Sequence, residues 1–492
     1  MAVTAALALS ASSTHASAVP DIRVIRTVPG VHKPRFVRLR FDAVVFGIRG
    51  TDELLVDLAT GRFAERTDAG PASSYQGFDG ARAWSSDATG LAEIADAAED
   101  RSLVLATSYL LAGARRAPRA EVLSATRRFL RERLRYRGLA RPIDVRIDRS
   151  TGRLAGAELR AGSERTTLSV DAYGSAGTLI VPARLRSHSD FGEVRETLRS
   201  VELPRAAARN AFAPPRPPND TTLAGVTTVP LAMYPDGPVT TIRVDGGPPL
   251  HVLVDTGSSC TLTESAARRA KLRLLGRATS GGVGPHLVPT RLATAKRVRI
   301  GGAGLRNQPV EVIAERDLAA GGRTDGIIGY ELFARLAVRF DFERRTMQLA
   351  RGAAALRPRG TRVPFVLTGG QPQVDGAVDG LRGPITIDTG SGYGLDVTSP
   401  TVRAHDLVRR YHATEYESAA NIGGLLADYR ARARTVRLGS VVVHDVPIAL
   451  DLGTSGALDD PSTIGNAGLP VLRRFVVVLD YRGRAMYLET RR

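Results

Sequence analysis

The chain has 492 residues, 43% of them hydrophobic and 24% charged, with a formal net charge of +18. That length suits about three domains of roughly 150 residues each, with ample core, and the composition excludes a disordered or fibrous chain. The single cysteine, Cys260, excludes any intrachain disulfide; it reads as a small buried apolar residue and leaves the compartment open.

Nearly all the positive charge is arginine, since Lys33, Lys271 and Lys296 are the only lysines among 68 basic residues. The arginines are scattered. Their densest run, RRFLRERLRYRGLARP (127–142), is expected to be a helix with Phe129, Leu130 and Leu134 facing inward. A solvated helix face explains it better than a nucleic-acid patch, so no nucleic-acid partner is expected. A basic exterior favours anionic surfaces or acidic polypeptides at low salt. There is no HExxH, no Cys/His ligand spacing, no Walker loop and no GxSxG elbow, so neither a metal nor a cofactor is expected.

In chain order, residues 1–18 form a candidate signal peptide, with an apolar core from Val3 to Leu9 and an Ala16-Ser17-Ala18 triplet suited to cleavage. Export to the periplasm or medium is the expectation. No later apolar run approaches the ~20 residues that span a bilayer. Residues 20–205 read as an α+β N-terminal domain. GFDGARAWSSDATG (77–90) sets Trp84 between two turn signals, and LVLATSYLLAGA (103–114) suits a buried core helix. EVLSATRRFLRERL (121–134) reads as helical, and DVRIDRSTGRLAGAELRAG (144–162) as a hairpin turning near Ser150-Thr151-Gly152. Residues 206–221 form a semi-rigid linker, because Pro214, Pro215, Pro217 and Pro218 suit neither a helix interior nor a central strand.

Beyond the linker the chain repeats itself. HVLVDTGSSC (251–260) and GPITIDTGSGYG (383–394) each run an apolar strand into Asp-Thr-Gly. RLATAKRVRIGG (291–302) matches YRARARTVRLGS (429–440), each followed by a proline–aliphatic pair, Pro309-Val310 and Pro447-Ile448. LAVRFDFERRTMQL (336–349) matches FVVVLDYRGRAMYL (475–488). The offsets are 133 at Asp255/Asp388, 138 at Gly301/Gly439 and 139 at Asp341/Asp480. One supersecondary unit used twice explains this, with lobes at 222–355 and 356–492. Each unit is mostly short alternating runs broken by Gly and Pro, with a short helix before the last strand.

An acidic residue closing a greasy strand is costly unless its carboxyl is hydrogen-bonded or shares a proton. A strand-ending turn would account for one such tripeptide; two, each after an apolar strand, ask for more. DTGSS and DTGSG, followed by Ile327-Ile328-Gly329 and Asn466-Ala467-Gly468, resemble the aspartic peptidase family, in its retropepsin-type branch fused into one chain. The resemblance covers roughly residues 222 to 492, and it departs from the family at Asn466, where an aliphatic residue is usual. The N-terminal block weakly resembles periplasmic lipoprotein-carrier domains through its FDG…W stretch.

The resemblance implies a mainly β fold with short helices: a pseudo-twofold, bilobal pepsin- or retropepsin-like barrel pair behind the α+β N-terminal domain. A curved half-barrel sheet is one form that domain can take. It also implies an aspartic endopeptidase, in which a water activated between Asp255 and Asp388 hydrolyses a peptide bond. The two carboxyls would share one proton, since like charges that close cannot both ionise. Thr256 and Thr389 would lock the two loops across the lobe interface. Ser258 and Ser391 would bond the outer carboxylate oxygens, and Gly257 and Gly390 would allow close approach. SGGVGPHLVP (280–289, with Gly281, Gly282 and Gly284) and ANIGGLLADY (420–429, with Gly423 and Gly424) stand where flaps belong. The expected partner is a polypeptide substrate, and the expected state a monomer, since fused lobes remove the need to dimerise. Two alternatives stay open: a non-proteolytic envelope ligand- or lipid-binding protein on this scaffold, and a chain that processes only itself at its linker.

Overall fold

The computed structural model describes residues 21–490, except 29, 32, 236, 319–323 and 418–420. The candidate signal peptide at 1–18 lies outside the described residues. Among them, the strands gather into four sheets of fourteen, nine, six and eight.

Period-two alternation builds the first sheet. In Phe36–Val45 the residues Val37, Leu39, Phe41 and Ala43 are all buried, with more exposed residues between them. From there the chain meanders outward to Glu93–Ile94, then returns as a second meander from Arg119–Ala125 to Gly192–Glu202. The last strand pairs with Phe36–Val45 and joins the halves. Between the meanders lies the expected core helix, Ala98–Ala112, closed by Gly113 at φ 86°. It packs against both Ala83–Ser86 and Arg153–Ala161, strands eight places apart in the sheet. Laid flat they would stand ~38 Å apart, too far for a helix about 10–12 Å wide to touch both. The sheet therefore curls around the helix. The hairpin expected at 144–162 is present, turning between Asp148 and Arg153.

The helix expected over 121–134 and 127–142 is instead two strands, Arg119–Ala125 and Phe129–Arg135, paired with each other. The reason is visible in the side chains: Glu132 and Leu134 are fully buried while Arg131 and Arg135 are exposed. That period of two suits a sheet facing water on one side. Phe129, Leu130 and Leu134 fit either period, so the spacing misled.

The curled sheet also carries a carboxylate cluster. Asp52, Glu65 and Glu196 come from three strands, and their nearest oxygens all lie within 4.8 Å of one another. Asp52 accepts a hydrogen bond from Thr67 at 2.8 Å, while its Oδ2 has no partner. Burial, reinforced by the neighbouring carboxylates, pushes Asp52 up to about 9 and Glu196 to about 8. Folded-state values above the unfolded ones give stability that is complete below about pH 4 and is lost as pH rises toward 8–9. Asp52→Asn keeps the acceptor for Thr67 and removes that loss. It is expected to raise the melting temperature by on the order of 5 °C at pH 8, and by less at pH 5. Thermal melts at the two pH values, with EDTA present, check this; an equal shift at both would show that Asp52 does not titrate as described.

The two lobes repeat one strand order. In the first, Gly237–Val244, Pro249–Val254, Gly326–Ile328, Thr261–Thr263 and Ala303–Ile313 lie in line, with Val288–Ile300 and Leu275–Ser280 beyond. In the second, Gln371–Val378, Leu381–Ile387, Gly465–Ala467, Leu395–Val397, Val441–Asp451, Ala427–Leu438 and Thr414–Glu417 follow the same sequence. The matched segments at 336–349 and 475–488 do more than correspond. Ala337–Asp341 pairs antiparallel with Phe475–Asp480, Val338 opposite Leu479, at the centre of a six-stranded sheet built from both lobes. One apolar cluster, including Val254, Ile387, Val338 and Leu479, runs continuously through both lobes.

The proline-rich linker is pinned rather than free. Phe212 is buried beside Phe36 and Leu55, and its carbonyl accepts a bond from the Trp84 indole at 2.9 Å. At the linker's end Asp220 pairs with Arg335 at 2.6 Å, and the same guanidinium reaches the carbonyl of Thr89. The N-terminal domain also covers the edge strand Leu275–Ser280: Arg277 N donates to Phe46 O at 2.7 Å, and Thr279 N to Phe191 O at 3.0 Å.

Candidate active site

Two apolar strands deliver the acidic residues to one place. Pro249–Val254 runs parallel to Gly326–Ile328, and at its end Asp255 N donates to Ile328 O at 3.0 Å. Leu381–Ile387 runs parallel to Gly465–Ala467, and Asp388 N donates to Ala467 O at 2.9 Å. In both loops the glycine two residues on turns its N–H to the aspartate Oδ1, Gly257 at 2.7 Å and Gly390 at 2.8 Å.

The threonines tie the loops together reciprocally. Thr256 N donates to Thr389 Oγ1 at 3.1 Å, and Thr389 N to Thr256 Oγ1 at 3.0 Å. Each hydroxyl then donates onward across the interface, Thr256 to Ile387 O at 2.7 Å and Thr389 to Val254 O at 2.8 Å. Every one of these polar atoms is buried and satisfied, which fixes the two loops in one relative position.

The carboxyl groups meet as a result. A Cβ on Gly257 would lie 2.9 Å from Asp388 Cγ, and one on Gly390 would collide with Asp255 Cγ. Only glycine leaves room for these approaches. Asp255 and Asp388 are hydrogen-bonded to each other through their side chains. Burial, and then the adjacent Asp388 charge, hold the Asp255 carboxyl well above the usual carboxylate range. Asp255 is the more buried of the two.

The serines differ from each other. Ser258 lies close enough to Asp255 to favour its charged form. The Ser391 hydroxyl instead donates to Asp396 Oδ2 at 2.8 Å. The outer oxygen of Asp388 takes its bond from Asn466 Nδ2 at 2.7 Å. So the residue that departs from the family pattern supplies what Ser391 does not. Ser391 is drawn away because Asp396 is itself buried, and burial pushes its carboxyl up to about 8. The glycine two residues after Asn466 packs as tightly as its counterpart: any side chain on Gly329 would strike Ser258 O, and any on Gly468 would strike Tyr393 O.

Both glycine-rich hairpin tips close over the carboxyls, and they touch. Gly284 N donates to Ile422 O at 2.9 Å and His286 N to Gly423 O at 3.0 Å. Gly282 O accepts from Ala457 N at 2.9 Å. A Cβ on Gly282 would come within 2.5 Å of Ile422 O, and one on Gly284 would strike the Gly423 backbone. Gly281 and Gly424 stand in ordinary contact with Leu287 and His286. Beneath the tips lies a cavity of about 260 Å³, lined by Asp255, Asp388, Val283, Ile422 and Tyr393. Gln371 was not foreseen. Its Nε2 donates to Gly257 O at 2.6 Å, bracing the first loop. Nothing in its local sequence marks it, because the contact spans 114 residues.

Residues 240–332 match the family model described as aspartyl protease. The matched segment holds Asp255 and Gly329 and ends before Asp388. No curated protein matches this chain in sequence. Among solved structures, basic 7S globulin from soybean is similar over 54% of this chain and 95% of that one, at 10% identity and a TM-score of 0.34. The segment match supports a protease-type family.

Proposed function

We propose that the chain is an aspartic endopeptidase, with Asp255 and Asp388 as its catalytic pair. One observation carries this reading: the reciprocal threonine bonds hold two carboxyls, one per lobe, in hydrogen-bond contact beneath the hairpin tips. A water between them loses a proton to Asp388 as its oxygen attacks the peptide carbonyl carbon. Asp255 gives its proton to the carbonyl oxygen. The amide nitrogen then takes the proton held by Asp388, the C–N bond breaks, and Asp255 recovers a proton from the collapsing diol. Thr256 and Thr389 position the loops, Ser258 and Asn466 orient the carboxyls, and the hairpins exclude bulk water. The substrate is a polypeptide entering between the tips. One chain supplies both carboxyls, so a monomer suffices, and residues 1–18 suit an exported protein.

The test is digestion of an unfolded protein between pH 3 and 7, with and without pepstatin. Pepstatin-sensitive cleavage is the expected result. Copurified lipid together with no cleavage at any pH would overturn it in favour of a carrier.

A further inference from the structure

A second cavity, about 660 Å³, lies between the curled N-terminal sheet and the first lobe. It meets the cleft at Gly257, Ser258 and Gln371, which line both. Its walls carry five carboxylates: Asp87, Glu93 and Asp100 from the N-terminal domain, Glu311 and Glu331 from the first lobe. No arginine or lysine lines it, although the chain as a whole carries +18. Among the described residues, none of the five forms an ion pair.

Two of these carboxylates are incompletely bonded. Glu331 is 2% exposed, and its Oε2 has no hydrogen-bond partner; the backbone N–H groups of Cys260 and of Glu331 itself lie near its carboxyl. Glu93 lies beside the Tyr330 hydroxyl, and its Oε1 is likewise unpartnered. The others are occupied: Glu311 by Ser280 at 2.6 Å and Ser259 at 3.3 Å, Asp100 by Gly369 N at 3.3 Å, and Asp87 by Thr89. Two guanidinium groups act on the chamber from behind its wall: Arg335, paired with Asp220, lies near Asp87 and Glu331, and Arg484, which donates to the carbonyl of Ile94 and keeps an unpartnered Nη1, lies near Glu93. Burial pushes Glu93 up to about 7 and Glu331 to about 8. Burial favours their neutral form, and an entering cation restores the charged one.

We infer that this chamber is a subsite for a cationic side chain, the guanidinium of arginine or the ammonium of lysine, on the polypeptide lying across Asp255 and Asp388. The inference rests on the peptidase reading for the nature of its ligand. Its sign is opposite to that of the protein's exterior, so the chamber sorts side chains that the outer surface repels. An arginine there enters a chamber whose wall Glu331 and Glu93 both line, and a charge-assisted bond to either discriminates it from a neutral isostere.

The experiment uses full-length Asp255→Asn protein, which keeps the shape of the protonated carboxyl. Fluorescent octapeptides carry one arginine walked through all eight positions, each compared with citrulline at the same place by anisotropy. At one position arginine is expected to bind about 10-fold or more tighter than citrulline. The preference is expected to vanish in Glu93→Gln/Glu331→Gln protein and to weaken in the milder Asp100→Asn variant, with melts confirming that each is folded. No preference at any position, or one that survives these substitutions, overturns the inference. Wild-type cleavage without an arginine preference sinks the subsite alone. Arginine-selective binding without any wild-type cleavage sinks the peptidase reading alone.

Discussion

Asp255→Asn protein is expected to cleave an unfolded substrate on the order of 10³-fold more slowly than the parent, with its fold intact. Asparagine keeps an acceptor for Gly257 N, which bonds Asp255 Oδ1 at 2.7 Å, and it fits against Gly390. What it removes is the proton that activates the substrate carbonyl. Stability moves the other way. The Asp255 carboxyl stands above the usual carboxylate range because it is buried against Asp388. Its contribution to stability is therefore greatest at low pH and falls as pH rises. The substitution removes that fall, so the melting temperature is expected to hold or rise at pH 7. Single-turnover digestion and thermal melts on one preparation read both effects. Cleavage at the parental rate by Asp255→Asn would end the dyad mechanism.

Arg335→Met is expected to destabilise the protein by about 3–5 kcal/mol, the usual result of stranding one member of a buried ion pair. Arg335 is 1% exposed and Asp220 8%. The guanidinium meets Asp220 through Nε at 3.0 Å and Nη2 at 2.6 Å, and Nη1 donates to Glu331 O at 3.0 Å. Methionine fills the volume and leaves Asp220 with only the Thr221 hydroxyl. Adding Asp220→Asn is expected to recover part of the loss, because the stranded charge causes most of it. Denaturant titration of the three proteins decides the point. A single-variant loss below about 1 kcal/mol would mean that solvent reaches the pair and the burial described is wrong.

Much of the site was legible because its signals are local and doubled. An apolar strand ending in Asp-Thr-Gly announces itself within ten residues, and the duplicate excludes coincidence. The hairpin at 144–162 was legible for the same reason, a turn signal between alternating runs. What escaped depends on distance along the chain. Nothing in LAVRFDFERRTMQL or FVVVLDYRGRAMYL says that two copies of one strand pair with each other, since both would look the same packed apart. Asn466 was noticed only as a departure from a pattern. Its bond to Asp388 spans 78 residues, and its value follows from Asp396 drawing Ser391 away. The five chamber carboxylates lie between positions 87 and 331 and become neighbours only once the N-terminal domain docks. Over 127–142 the arginines were too frequent to mark a face, and the apolar positions suited two periods equally.

The covering of Leu275–Ser280 has a consequence for the hairpins over the cleft. That strand carries the first hairpin, and backbone bonds from Arg277 and Thr279 clamp it to the N-terminal loops at Phe46 and Phe191. Lifting it means breaking those bonds as well as the ones between the tips. The second hairpin hangs from Thr414–Glu417, the outermost strand of its own sheet. The two hairpins are therefore held differently, the first by the N-terminal loops as well as by its own lobe.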